Sequence, residues 1–94
     1  MYLKLKQTGS NQATVSILTG KGAYYFHFSY ETCVGLKRPG EMAYTCKNVW
    51  SQTTGHHLGN LKRKFGAIEV PAINFSTMLD NMLDAIAQDV QEEK

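Results

Sequence analysis

The stretch that decides the fold is AYYFHFSYETCVGL, residues 23–36, a long aromatic run without proline. Its side chains alternate between two sets. The set assigned to the core has Tyr24, Phe26, Phe28, Tyr30, Val34 and Leu36. The other set has Tyr25, His27, Ser29 and Glu31. Because strand side chains point alternately to opposite faces, the pattern predicts one long strand, the third of the chain.

Upstream of this run the sequence predicts two shorter strands. Tyr2 to Thr8 alternates leucine with lysine, which is typical of a half-buried strand. Residues 9–12 have turn chemistry, residues 13–18 read as a second strand, and Gly20-Lys21-Gly22 is a tight connection that can supply positive φ.

Downstream, Arg38-Pro39-Gly40-Glu41 predicts a turn, and residues 41–49 return as a fourth strand. A turn centred on Pro39-Gly40 would place Cys33 opposite Cys46. Two cysteines are too few for a disulfide scaffold, so we expect free thiols, with a bond between facing cysteines as the alternative. Residues 67–70 predict a short fifth strand.

Two helices complete the prediction. Thr53 or Thr54 is a credible N-cap for a short helix running to about Lys64, with Leu58, Leu61 and Phe65 marking its buried side. From about Ser76 to Glu92, apolar residues recur at helical spacing opposite an acidic face. The predicted fold class is α+β, as a single domain over residues 1–94. It is a four- to five-stranded antiparallel sheet, with a short helix after strand 4 and one long C-terminal amphipathic helix across it.

Composition excludes several classes of protein. The chain is 43% hydrophobic and 19% charged, which argues against disorder. The N-terminus lacks the apolar run of a signal peptide, and no run approaches the roughly 20 residues of a membrane span. Residues 1–65 have nine Lys and Arg against two acids, a charge of +7, whereas residues 66–94 have one Lys against six acids, −5. The sequence predicts a cytoplasmic protein with a basic body and an acidic C-terminal helix.

The segment Trp50 to Leu58 is dense in polar groups, with two threonines and two adjacent histidines. Histidine titrates near neutrality, but His56 and His57 have no nearby carboxylate in sequence to orient them. The cysteine and histidine spacings match no structural zinc pattern. We therefore expect no enzyme, no metal site and no cofactor, and a capping or surface role for the histidines.

Basic residues beside exposed aromatics indicate a second type of surface. The candidates are Lys37, Arg38, Lys62, Arg63 and Lys64, with Tyr25 and His27 on the outer strand face. Phosphate neutralisation plus a stacking surface is what single-stranded nucleic acid requires. The alternative is that the 62–64 run complements the C-terminus of the short helix. Trp50 and Tyr25 could equally be protein-binding anchors.

Three blocks of the sequence resemble a known pattern. They are residues 28–34, FSYETCV; residues 48–51, NVWS; and residues 53–58, TTGHHL. Over about residues 24–61 the chain resembles a family of short, functionally uncharacterised proteins of tailed bacteriophages. Their pattern is Ser-Tyr-x-Thr-x-Val, a hairpin, and Trp-Ser-x-Thr-Thr-x-x-His-Leu. The resemblance implies an accessory phage protein in the host bacterial cytoplasm, with His57 rather than His56 on the shared histidine.

The leading hypothesis is therefore binding to a host or phage protein, with inhibition of a host defence system such as CRISPR as the inference from that class. The interaction-surface candidates are Trp50, Thr53, Thr54 and His57 together with the basic residues and Tyr25 named above. The alternative is a small nucleic-acid-binding module. A third reading is a small-ligand pocket formed by Thr53, Thr54 and His57 beside the aromatic sheet. Open sheet edges make a homodimer possible.

Overall fold

The computed structural model describes residues 1–48 and 52–92 of the chain. The eight elements are β1 (Tyr2–Gly9), β2 (Gln12–Thr19), β3 (Gly22–Ser29), β4 (Thr32–Lys37), β5 (Ala43–Cys46), α1 (Gln52–Phe65), β6 (Ile68–Val70) and α2 (Ala72–Glu92). The strands form one sheet in the order β1-β2-β3-β4-β5-β6. The predicted α+β class and the long C-terminal helix are confirmed.

The sheet has six strands and is mixed, whereas a four- to five-stranded antiparallel sheet was expected. The first five strands pair antiparallel in sequence order, and β6 pairs parallel to β5. The parallel pair arises because α1 lies between β5 and β6 and returns the chain in the same direction. The expected fifth strand therefore exists, as β6, but with the opposite orientation.

The expected single strand over residues 23–36 is wrong, because the run is a hairpin of β3 and β4. Ser29 pairs with Thr32, and the two-residue turn places Tyr30 at φ 55°. Two-residue hairpins need positive φ, which glycine or asparagine usually supplies. Since a bulky tyrosine does so here, the sequence has no turn signal, and Tyr30 is exposed rather than in the core.

A β-bulge restores the inward face of β4 after this turn. The pairing shifts by one residue between His27 and Phe28, so that Leu36 faces Phe26 and joins the core. A two-residue turn without the bulge would place Leu36 on the other face, because side chains alternate. The assignment of Leu36 to the core is confirmed, but it depends on the β-bulge, which the spacing of residues in the sequence did not show.

The two helices cover opposite faces of the sheet. The main core contains Tyr24, Phe26, Leu36 and Cys46 of the sheet, packed with Phe75, Met82 and Ile86 of α2. On the other face, a hydrogen bond links His57 of α1 to Ser29, and Leu61 lies against Gly35. Since α1 packs mainly against β4 and β5, it leaves much of the same face of β1 and β2 uncovered among the described residues.

Polar contacts of the buried Asp89 fix the end of α2 to the β2–β3 turn and the start of β3. Tyr24 Oη donates to Asp89 Oδ2 at 2.5 Å, and Lys21 Nζ lies 3.6 Å from Asp89 Oδ1. The tyrosine hydrogen bond, followed by the Lys21 charge, holds the pKa of Asp89 below its usual range. This contact secures the acidic helix on the face away from α1.

The expected pairing of Cys33 with Cys46 is wrong by one residue. In β4 and β5, Gly35 faces Thr45 and Leu36 faces Tyr44. The register therefore differs by one residue from that of a turn centred on Pro39-Gly40. Both thiols are free, as expected. Burial raises the pKa of Cys33 to about 11 and also raises the pKa of Cys46, so both stay protonated near neutrality.

Candidate functional site: a basic groove on the open sheet face

Strand register aligns two rows of side chains across the open part of the α1 face. The first row is Lys4, Ser16, Tyr25 and Lys37, each paired with the next across β1 to β4. The second row is Lys6, Thr14, His27 and Gly35, one step further along the same face. A lysine of β1 therefore begins each row, a hydroxyl of β2 lies in the middle, and a ring of β3 follows.

These rows form the floor of a groove of about 520 Å³, which we call the basic groove. Its lining is Lys4, Lys6, Thr8, Thr14, Ser16, Tyr25, His27, Lys37 and Phe65. Among these described lining residues three are cationic, three aromatic, and none acidic. The groove therefore combines positive charge with apolar ring surface.

The position of α1 beside the groove depends on Gly35. A Cβ at this position would lie 3.0 Å from Leu61 Cδ1 and 3.2 Å from His27 Cβ. Both distances are shorter than ordinary van der Waals contact, so glycine allows the helix to approach β3 and β4 closely. The last turn of α1 then reaches the second row.

Gly66 ends α1 immediately after Phe65. Its φ is 62°, and its N–H donates to the Lys62 carbonyl oxygen at 3.0 Å. A left-handed glycine with this bond is a common helix C-cap. The cap fixes the last residue of the helix, Phe65, over the strand residue His27.

His27 supports the Phe65 ring from below. The two rings stack with centroids 5.1 Å apart and an interplanar angle of 29°. His27 Nδ1 lies 2.9 Å from Thr14 Oγ1, which fixes the imidazole. Burial lowers the pKa of His27 to about 4, so the ring is neutral near pH 7. His27 therefore acts as a neutral support and adds no charge to the groove.

A second group of polar residues, which we call the histidine clasp, joins α1 to the end of β3. Ser29 Oγ lies 2.6 Å from His57 Nδ1 and 3.0 Å from Thr54 Oγ1. All three residues are buried, with Ser29 only 2% exposed. A serine beside a histidine can serve as a nucleophile, but this hydroxyl is closed to substrate. The clasp is a structural joint between helix and sheet.

The clasp corrects three expectations about the Trp50–Leu58 segment. Thr54 and His57 are buried contacts rather than parts of an open surface. Thr53 is exposed, and both threonines lie inside the first turn of α1, which begins at Gln52, so neither is the N-cap. Trp50 lies outside the described residues. Thr54 and His57 therefore serve the contact between α1 and Ser29, not the open surface expected of them.

The basic residues predicted at the surface do not form one patch. Lys37 lines the basic groove with Tyr25, and its Nζ also donates to the Arg38 carbonyl oxygen at 3.3 Å. Lys62 pairs with Glu69 at 2.7 Å, and the guanidinium of Arg63 donates to Asn60.

Arg38 and Lys64 are the other two predicted basic residues. The Arg38 guanidinium lies 3.4 Å from the Glu41 carboxylate in the β4–β5 connection. Lys64 borders a small cavity of about 60 Å³ that Phe65 also lines. The ion pairs of Lys62 and Arg38 reduce the positive charge that either can offer a ligand.

Six groove residues were absent from the predicted site: Lys4, Lys6, Thr8, Thr14, Ser16 and Phe65. The lysines share one face of β1, and the alternation shows this, but only the pairing register shows that they align with Tyr25 and His27. Phe65 was expected to be buried, yet half of its side chain is exposed. Ser29 was noted in the sequence only as part of the block FSYETCV, residues 28–34, and not as a candidate site residue.

Within residues 1–48 and 52–92 no three metal-ligating side chains cluster, and no helix there is long and apolar enough to cross a membrane.

Comparison with known proteins concerns the sequence as a whole. Neither the curated proteins nor the solved structures include a match to the chain. A family model matches residues 3–77, which include the six described strands except Tyr2 of β1, all of α1, and all residues of the basic groove and the histidine clasp. The chain thus belongs to the Family of unknown function (DUF8033).

Proposed function

We propose that this protein binds nucleic acid through the basic groove. The observation that supports the proposal is the alignment of Lys4, Lys6 and Lys37 around Tyr25 in a concave surface whose described lining has no acidic residue. Lysine neutralises phosphate charge, and rings offer stacking surface to bases. The groove thus favours nucleic-acid binding, which the sequence suggested as the alternative to protein binding.

The spacing of the lysines suits a polyanion. Lys4 and Lys6 are two residues apart on one face of β1, which in a strand is about 7 Å. Lys37 lies on β4, three strands away in the first row, which is about 14 Å across the sheet. Such a spread fits a chain of phosphates better than one small anion.

The opposite face of the sheet has the opposite charge. The helix α2 packs on that face through Phe75, Met82 and Ile86 and contains Asp80, Asp84 and Asp89. Asp80 and Asp84 are exposed there, whereas Asp89 is buried and lies 3.6 Å from Lys21 Nζ, so the exposed aspartates of α2 lie on the side opposite the basic groove. A polyanion is attracted to one side and repelled from the other.

Fluorescence anisotropy of a labelled oligonucleotide tests the proposal. Three phosphate contacts give a slope of log K against log salt of about −2 for a single strand, so affinity falls about 20-fold between 50 and 200 mM salt. The double variant Lys4→Ala/Lys6→Ala should reduce the slope to about −0.7. Lys47→Ala, a matched change at an exposed lysine that does not line the groove, should leave it unchanged.

Absence of binding at 50 mM salt would refute the proposal. Equal losses in the Lys4→Ala/Lys6→Ala and Lys47→Ala variants would show that binding does not use the groove.

A second candidate is protein binding, as expected of a phage accessory protein with an anti-defence role in the bacterial cytoplasm. The observation in its favour is Tyr30, which is 52% exposed at φ 55° beside the ring of His57 at 6.0 Å. A bulky residue at positive φ is strained, and strained exposed rings are suited to a binding role. The Tyr30 N–H donates to Asn11 O at 2.8 Å, which fixes the turn.

Capture from infected bacterial lysate, with and without nuclease, tests the second candidate. A stoichiometric protein that survives nuclease and is lost with Tyr30→Ala supports it. A Glu31→Ala variant in the same turn is the matched control. Retention of the same proteins by wild type and Tyr30→Ala would remove this surface from consideration.

A further inference from the structure

We propose that the basic groove selects unpaired bases, with Phe65 as the stacking platform. This inference depends on the proposed nucleic-acid function and adds the class of nucleic acid and the residue that selects it. The site is selective for single strands because a ring that is fixed in position can stack only on a base whose face is exposed.

The Phe65 ring is fixed from two directions. Gly66 caps α1 directly after it, through a left-handed φ of 62° and the bond to the Lys62 carbonyl oxygen. The His27 imidazole lies against one face of the ring, with centroids 5.1 Å apart. A preorganised ring loses little conformational freedom on binding, which favours affinity.

The rest of Phe65 is available to a ligand. Half of its side chain is exposed, and it lines the groove with Tyr25. His27, its support, is buried and neutral and is bonded to Thr14, so the support does not depend on a charge at pH 7. An apolar ring beside three lysines matches a base attached to a charged backbone.

Tyr25 provides a second ring at a suitable distance. It lies two residues before His27 on the same face of β3, which is about 7 Å along the strand. Lys4 and Lys6 have the same spacing in the same two rows. The first row therefore offers the Tyr25 ring between Lys4 and Lys37. The second row offers Lys6 and the His27 ring that supports Phe65, so the site is sized for about two nucleotides of an extended strand.

The arrangement discriminates against a duplex. In a double helix the bases are stacked and paired between two backbones, so their faces are closed to a fixed protein ring. The lysines alone would still attract duplex phosphates, but the stacking contribution would be lost. The predicted preference is for single strands over duplex, and for bases over a base-free polyanion.

The experiment compares three ligands on the full chain: a labelled oligothymidine of eight nucleotides, a hairpin duplex of equal charge, and linear polyphosphate as a competitor. Oligothymidine should bind more tightly than the other two. Phe65→Ala should weaken oligothymidine binding about 5- to 150-fold, as expected for loss of one base stack, and leave duplex and polyphosphate binding unchanged. Phe65→Trp should restore the affinity for oligothymidine.

Because half of the Phe65 side chain is exposed at a helix end, we expect Phe65→Ala to fold, and circular dichroism of each variant checks this. Leu83→Ala, a half-exposed change on α2, is the matched control and should bind as wild type does. If oligothymidine, duplex and polyphosphate bind equally and Phe65→Ala changes nothing, the base platform is refuted while nucleic-acid binding stands. If none of the three binds, the proposed function itself fails.

Discussion

Removal of the Ser29 hydroxyl should loosen the joint between α1 and the sheet. In Ser29→Ala the imidazole Nδ1 of His57 loses its partner at 2.6 Å, and Thr54 Oγ1 loses a contact at 3.0 Å. The two hydroxyls and the imidazole are buried. A buried polar group left without its partner costs about 1–3 kcal/mol, so we expect the free energy of unfolding to fall by that amount.

Urea denaturation followed by far-ultraviolet circular dichroism measures this loss. In a domain of this size each kcal/mol corresponds to about 4–8 °C in melting temperature, so a thermal melt gives a second readout. Ser16→Ala is the matched control, because Ser16 lies on the same face of the sheet but outside the clasp. We expect the control to change stability by less than about 0.5 kcal/mol.

A double-mutant cycle separates the hydrogen bond from general packing effects. His57→Leu removes the imidazole, and the double variant Ser29→Ala/His57→Leu removes both partners without leaving either one unpaired. The double variant should therefore lose less stability than the sum of the single variants, with a coupling of about 0.5–3 kcal/mol. Additive losses, or a Ser29→Ala variant as stable as Ser16→Ala, would refute the account of the clasp.

Three further predictions concern the core, the groove and the free sheet edge. Met82→Ala, at a side chain with no exposed surface, should cost about 2–5 kcal/mol in urea denaturation, while Ile73→Ala, at an exposed position of the same helix, should cost almost nothing. The pKa of His27 is about 4 when folded and 6.5 otherwise, so the unfolded chain binds more protons between these values. The contribution of neutral His27 to the free energy of unfolding is therefore fully present above pH 6.5. The free energy of unfolding should fall by up to about 3 kcal/mol as the pH drops toward 4. His27→Asn should flatten this dependence, and an unchanged pH profile would contradict the assignment. If the exposed edge strand β1 pairs two copies, sedimentation velocity should show a dimer that Leu5→Asp dissociates, whereas a wild-type monomer at high concentration would exclude it.

Local sequence signals predicted much of the fold. The acidic helix was recognised from its apolar spacing, and the β1–β2 and β4–β5 turns from glycine, proline and polar residues. Each of these signals reflects an interaction within a few residues of the chain. The missed β3–β4 turn shows the limit, because Tyr30 adopts positive φ without being glycine or asparagine. A turn that the surrounding structure imposes has no local signal.

The candidate site was predicted only in part. Tyr25 and Lys37 were chosen as aromatic and basic surface residues, and the structure brings them into one groove. Phe65 was placed in the core because helical spacing does not show where a helix runs past the edge of the surface it covers. His57 was chosen as a surface residue, although its hydrogen bond to Ser29 closes it into the joint.

The sequence by itself determined the periodicities of this protein: a basic, alternating β1, an aromatic β3 and an amphipathic α2 with Asp80 and Asp84 on its outer side. Those follow from side-chain chemistry repeated at the period of a strand or helix. Only the tertiary structure decided that Lys4, Tyr25 and Lys37 share one row and that Ser29 meets His57. Such contacts depend on turn lengths, one β-bulge and the close approach that Gly35 permits, because a one-residue change in register moves a side chain to the opposite face of the sheet.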